Sequence, residues 1–90
     1  VLPALERTLA TRAAERPAGS YTVELLDDPP RIGAKVEEEA EEVARAAREE
    51  SDERVAEEAA DVLYHLAVLL RSRGLELGDA TNVLNARSGR

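Results

Sequence analysis

Apolar residues along this chain recur at intervals of three and four, the spacing of helices rather than strands. From Leu2 to about Glu15 they fall at Leu2, Leu5, Leu9 and Ala13. Arg16-Pro17-Ala18-Gly19 should break that helix, because proline lacks an N–H donor and glycine admits a left-handed turn. Ser20 then offers an N-cap to a short helix over Tyr21-Thr22-Val23-Glu24-Leu25-Leu26, which Asp27-Asp28-Pro29-Pro30 ends. A proline pair suits the first turn of the next helix, where a missing N–H costs nothing. That third segment runs from about Pro30 to Glu50, with an apolar stripe at Val36, Ala40, Val43 and Ala47. Glu39, Glu42 and Lys35 flank the stripe, and Gly33 in the first turn costs about 1 kcal/mol relative to Ala. Ser51 is the expected cap of a fourth helix with Asp52 and Glu53 in its first turn, running to about Arg73 and stopping at Gly74. Its stripe is Ala59, Leu63, Leu66 and Leu70, with Glu58, Asp61 and His65 on one flank. The last segment, Leu75 to about Ala86, should pack across the others, with residues 87–90 fraying. The expected fold class is all-α: four to five helices forming a bundle.

Composition sharpens this picture. With 90 residues the chain has room for a single domain over residues 1–90, small enough to need help in burying its surface. Cysteine is absent, so disulfides cannot supply that help, and the core must come from Leu, Val and Ala with no Phe, Trp or Met. From Val62 to Leu70 only Tyr64 and His65 are polar, and a helix apolar nearly all round implies a second subunit covering its far side. A net charge of −7 argues against nucleic-acid binding and against anionic membrane surfaces. No apolar run approaches the ~20 residues a membrane helix requires, and no secretory signal is visible, so the cytoplasm is the expected location. Lacking any methionine, the chain is expected to have begun before Val1.

The candidate chemistry lies in two acidic stretches, Lys35-Val-Glu-Glu38-Glu39-Ala-Glu-Glu42 and Glu58-Ala-Ala-Asp61-Val-Leu-Tyr64-His65. Carboxylates three residues apart share a helix face, so two such faces turned together would gather Glu39, Glu42, Glu58 and Asp61 around one small volume. A solvated face with weak ion pairs accounts for Glu37, Glu41, Glu49, Glu50, Glu53 and Glu57. It accounts poorly for Glu58 and Asp61, whose helix is the most apolar in the chain; a carboxylate beside a buried stripe must be paired, neutral or bound to metal. An all-oxygen donor set suits Mg²⁺ or Mn²⁺ better than Zn²⁺. Such a cation would also let an acidic pocket hold a polyphosphate and would act there as a Lewis acid. His65, one turn past Asp61, is either a hydrogen-bonding partner of a carboxylate or phosphate, or a satisfied histidine near the core. Lys35, one turn before Glu39, is either a phosphate contact or the ion-pair partner of Glu38 or Glu39.

These stretches resemble the phosphoribosyl-ATP pyrophosphohydrolases, within the wider MazG-type all-α NTP pyrophosphohydrolases, whose signature is EExxE followed by ExxD. Ser20-Tyr21-Thr22 with Leu25-Leu26, and Arg73-Gly74-Leu75 before the last helix, are similar at matching places, so the resemblance covers about residues 20–85. It implies a bundle completed by dimerisation and a requirement for Mg²⁺. The implied reaction is hydrolysis of the α–β phosphoanhydride of phosphoribosyl-ATP to phosphoribosyl-AMP and pyrophosphate, the second step of histidine biosynthesis. Carried onto this chain, it makes Glu39, Glu42, Glu58 and Asp61 the metal ligands and Glu38 a further ligand or the base for the attacking water. These five carboxylates are the expected catalytic set. Lys35 and His65 become substrate or outer contacts, and Ser20, Tyr21 and Thr22 become substrate contacts. The chain departs from the family pattern at Glu37, where Gly is usual, and at Ala34, where a second Lys is common. Two other readings stand beside this one: a MazG-type house-cleaning (d)NTP pyrophosphohydrolase, and a non-enzymatic helical dimer with solvated carboxylates.

Overall fold

The computed structural model describes residues 1–89, and every regular element among them is helical. The elements are α1 (Leu2–Glu15), α2 (Tyr21–Leu26), α3 (Pro29–Glu49), α4 (Asp52–Ser72) and α5 (Leu77–Ser88). The all-α expectation holds, with five helices and boundaries within a residue or two of those read from the sequence. Arg87 and Ser88 continue α5, and the expected fraying at residue 90 lies outside the described residues.

Local chemistry sets these boundaries. Arg16 ends α1 in a left-handed conformation and Gly19 follows with φ +79°, so the chain reverses before α2. Ser20 Oγ accepts the Val23 N–H at 3.3 Å, and Ser51 Oγ accepts the Arg54 N–H at 3.3 Å; both are side-chain N-caps. Pro29 and Pro30 occupy the first turn of α3. At the end of α4 the Leu75 N–H reaches the Leu70 carbonyl at 2.8 Å and the Gly74 N–H reaches Arg71 at 2.9 Å, a Schellman stop with Gly74 at φ +75°. That stop uses Leu75, so α5 begins at Leu77, two residues later than its apolar pattern suggests. Glu76 and Asp79 close a capping box there.

The longest helices, α3 and α4, each of 21 residues, are joined only through Glu50 and Ser51 and so pack as an antiparallel hairpin. The buried apolar set is short: Leu9, Leu25, Ile32, Ala46, Ala67, Val68 and Leu77. Two expected stripes are rotated from their predicted phase. On α3 the buried residues are Ile32, Glu39 and Ala46, while Ala40 and Ala47 are exposed. On α4 they are Glu58, His65, Ala67 and Val68, and Leu63 is 45% exposed. The helices turn a carboxylate-bearing face toward each other and leave small apolar residues outside, an orientation that hydrophobicity alone does not favour. The last helix also departs from expectation. Only Leu77 of α5 is buried, and Val83 and Leu84 stay exposed, because only its first turn meets the bundle.

Candidate metal centre

Halfway along the hairpin, Glu39 on α3 lies opposite Glu58 and Asp61 on α4. Each of these residues offers one carboxylate oxygen, and the oxygens lie within 4.8 Å of one another. Glu39 is 7% exposed and Glu58 5%, while Asp61 is open to solvent. Glu42, one turn beyond Glu39 and half-buried, joins them electrostatically. The neighbouring Glu58 carboxylate, which a proton on Glu42 would bridge to, and then the charge of Glu39 hold its carboxyl above the ordinary value. Of the four carboxylates expected to converge, Glu39, Glu58 and Asp61 gather within this distance, and Glu42 lies beside them on α3.

Cations satisfy only part of this cluster. Lys35 Nζ stands 3.4 Å from Glu39 Oε1 and 3.3 Å from Glu38 Oε2. Partial burial works against the Lys35 charge, but hydrogen bonds to Glu38 and Glu39 outweigh it and leave its pKa raised. On α4 the Arg54 guanidinium donates to Glu58 Oε1. The other oxygens, Glu39 Oε2 and Glu58 Oε2, are buried without a hydrogen-bond partner. A buried, bare carboxylate oxygen is costly, by several kcal/mol, unless a charge meets it. Hard oxygen donors gathered in this way fit a divalent cation of the Mg²⁺ or Mn²⁺ kind.

Glu38 lies outside this cluster, solvent-facing and tied to Lys35. His65 sits beneath it, buried, with both ring nitrogens engaged: Nδ1 donates to the Asp61 carbonyl at 2.8 Å, and Nε2 meets the Tyr21 hydroxyl at 2.9 Å. Thr22 Oγ1 pairs with the Tyr64 hydroxyl at 2.5 Å, and Ser20 caps α2. Tyr21 stacks on Tyr64 with ring centroids 6.2 Å apart, and the Arg31 guanidinium lies 5.6 Å over the Tyr21 ring. Of the residues expected as substrate contacts, Tyr21, Thr22 and His65 are joined within the protein in the seam that docks α2 onto α4, and Ser20 is spent on its cap. In this structure His65 is hydrogen-bonded within the fold and Lys35 is ion-paired with Glu38 and Glu39.

Sequence reasoning missed Arg54, although its spacing to Glu58 repeats that of Lys35 to Glu39. It also gave no hint of the larger cleft, about 510 Å³, between α1 and α5. That cleft shares no residue with the carboxylates, and the donor set rather than the volume identifies the site. A polar cleft of about 370 Å³ adjoins the cluster, lined by Glu42, Arg45, Glu49, Glu50, Arg54 and Glu58.

Over residues 2–88 the chain matches the family described as Phosphoribosyl-ATP pyrophosphohydrolase. It is 51% identical over 88 residues to a phosphoribosyl-ATP pyrophosphatase of Pyrobaculum arsenaticum, an alignment covering 97% of this chain and 94% of the relative. A phosphoribosyl-ATP pyrophosphatase of Rhodopirellula baltica is 45% identical over 92 residues, covering 98% of this chain and 77% of that one. The histidine biosynthesis bifunctional protein HisIE of Xylella fastidiosa is 49% identical over 87 residues, 96% of this chain. The chain spans only 42% of the length of that bifunctional relative.

Proposed function

The chain belongs to the phosphoribosyl-ATP pyrophosphohydrolase family, and on that premise we propose that it hydrolyses the α–β phosphoanhydride of phosphoribosyl-ATP. The products are phosphoribosyl-AMP and pyrophosphate, and the reaction is the second step of histidine biosynthesis. One observation carries the chemistry: carboxylates from both halves of the EExxE and ExxD signature meet within 4.8 Å, and two of their buried oxygens lack any partner.

In this reading Glu39, Glu42, Glu58 and Asp61 hold Mg²⁺, with Mn²⁺ as a substitute. When bound, the ion supplies positive charge between cluster and polyphosphate and the Lewis acidity that eases attack at phosphorus. Water adds at one phosphorus of the anhydride, its proton passes to a carboxylate, and the phosphate group across the broken bond leaves. Glu38, solvent-facing and next to Glu39, is the proton acceptor we assign. The Tyr21–His65 and Thr22–Tyr64 bonds hold α2 against α4 and so keep Asp61 in place, since the His65 ring is bonded to the Asp61 carbonyl. We further propose that the working unit is a cytoplasmic homodimer joined through the apolar groove of Ala40, Val43, Ala59, Val62 and Leu63. No helix among the described residues is long and apolar enough to cross a membrane.

Incubation with phosphoribosyl-ATP and Mg²⁺ should release pyrophosphate with a specificity constant above that for any of a panel of dNTPs. Release no faster than in buffer overturns the assignment. A preference for dNTPs would transfer the chain to the house-cleaning reading.

A further inference from the structure

The two buried carboxylates of the cluster are held in the same way. On α3, Lys35 Nζ stands 3.4 Å from Glu39 Oε1; on α4, Arg54 Nη2 donates to Glu58 Oε1. Both pairs have i,i+4 spacing, with the cation one turn before the acid. In both, the second oxygen, Oε2, is buried with no hydrogen-bond partner. A carboxylate bonded through one oxygen is fixed about its last side-chain torsion and offers the other oxygen alone.

We propose that Arg54 is a positioning residue for the metal centre: its bond to Glu58 Oε1 holds the carboxylate so that Oε2 is the single oxygen presented to a divalent cation. The proposal rests on the metal reading above and adds a residue outside the EExxE and ExxD motifs. Arg54 touches no reacting atom; it acts through Glu58.

A guanidinium near a cation site could instead weaken binding by repulsion, so the sign has to be argued. Arg54 is shared with surface carboxylates, at 3.0 Å from Glu57 Oε1 and 3.7 Å from Glu50 Oε1. Their charge offsets its own as felt by an ion in the cluster, and it is 47% exposed, so water screens what is left. What Glu58 receives from Arg54 is therefore mainly direction. Outer-shell partners of this kind are worth about 10- to 100-fold in metal affinity.

The test is calorimetric titration of the full chain with Mn²⁺, comparing the unmodified protein, Arg54→Gln and Arg54→Lys. Arg54 lies in the first turn of α4, half exposed, so neither substitution disturbs core packing; helix content by circular dichroism in EDTA verifies this. Arg54→Gln should weaken Mn²⁺ binding about 10- to 100-fold. Arg54→Lys should recover most of the loss, since it recreates on α4 the Lys–Glu pair that α3 already uses. If Arg54→Gln binds Mn²⁺ as tightly as the unmodified chain, or more tightly, the positioning role is overturned while the metal reading survives. If the unmodified chain binds no Mn²⁺, both are overturned.

Discussion

Asp61 is the solvent-exposed member of the carboxylate cluster, so replacing it disturbs little packing and tests its chemistry directly. Asp61→Asn should lower the specificity constant for phosphoribosyl-ATP by more than the ~100-fold upper range of outer-shell changes. Circular dichroism should show intact helices. In EDTA its melting temperature should be unchanged or higher, because one like charge has left the cluster; a clear drop would mark Asp61 as structural instead. Glu42 supplies a second test through pH. Its carboxyl, with an ordinary value of 4.5, is raised in the fold by the adjacent Glu58 carboxylate and the charge of Glu39. The folded state therefore keeps a proton that the unfolded chain has already released, and stability falls as pH rises from 4.5 through the raised value. Melting curves in EDTA should show that decline, and Glu42→Gln should flatten it. A divalent ion competes with the same proton, so Mn²⁺ should bind more weakly as the pH is lowered into this window. At this scale the clustering of Glu39, Glu58 and Asp61 was legible, because spacing alone puts 39 with 42 and 58 with 61 on shared helix faces. The internal bonds of Ser20, Tyr21, Thr22 and His65 were not. A motif names residues without saying which way they face, and here their polar atoms are spent within the protein: Tyr21 on His65, Thr22 on Tyr64 and Ser20 on the Val23 N–H.

Among the elements, the signals that survived from sequence to structure are those with local causes. Ser20 and Ser51 cap where expected, the prolines sit in the first turn of α3, and Gly74 stops α4. The helical phases did not survive, because they depend on what each helix meets. A stripe built from Ala40 and Ala47 is small and cheap to leave in water, whereas the face with Ile32, Lys35, Val36, Glu39 and Ala46 packs on α4 and carries the clustered Glu39. Two glycines separate conformational from packing effects within helices. A Cβ at either Gly33 or Gly74 would meet nothing within 4 Å, so space does not decide the outcome. Gly33 lies inside α3 with no left-handed requirement, and Gly33→Ala should stabilise by about 0.5–1 kcal/mol. Gly74 needs φ +75°, and Gly74→Ala should cost about 1–2 kcal/mol. Urea denaturation of both variants checks the opposite signs. Equal signs would show that the αL stop does not govern the end of α4.

Taken whole, the chain is more open than its length calls for. Its radius of gyration is 14.3 Å, against ~12 Å for a compact domain of this length. It exposes 6009 Å², roughly 800 Å² more than the ~5,200 Å² usual for a monomer of this mass. That excess is close to the ~800 Å² each partner contributes to a standard interface. The surplus has an address as well as a size. Ala40, Val43, Ala59, Val62 and Leu63 line an apolar groove of about 400 Å³ along the outer side of the α3–α4 hairpin. The carboxylates occupy the inner face of these helices, so the hairpin has a polar, carboxylate-bearing side and an apolar side left open to water. The sequence announced this indirectly, through an α4 apolar on more sides than a lone chain of this length can cover. Leu63, large and 45% exposed, is the residue most exposed to the consequence. Leu63→Glu leaves the inner face alone, and in a lone chain a half-exposed leucine replaced by glutamate changes stability by no more than about 0.5 kcal/mol. In a dimer joined through this groove it sets a charge in a dry interface, opposite its own copy if the two-fold axis passes nearby. Light scattering coupled to size exclusion should therefore give a dimer for the unmodified chain and a monomer for Leu63→Glu, with a melting temperature that depends on concentration only in the former. A monomeric unmodified chain would mean that the open face serves no second copy.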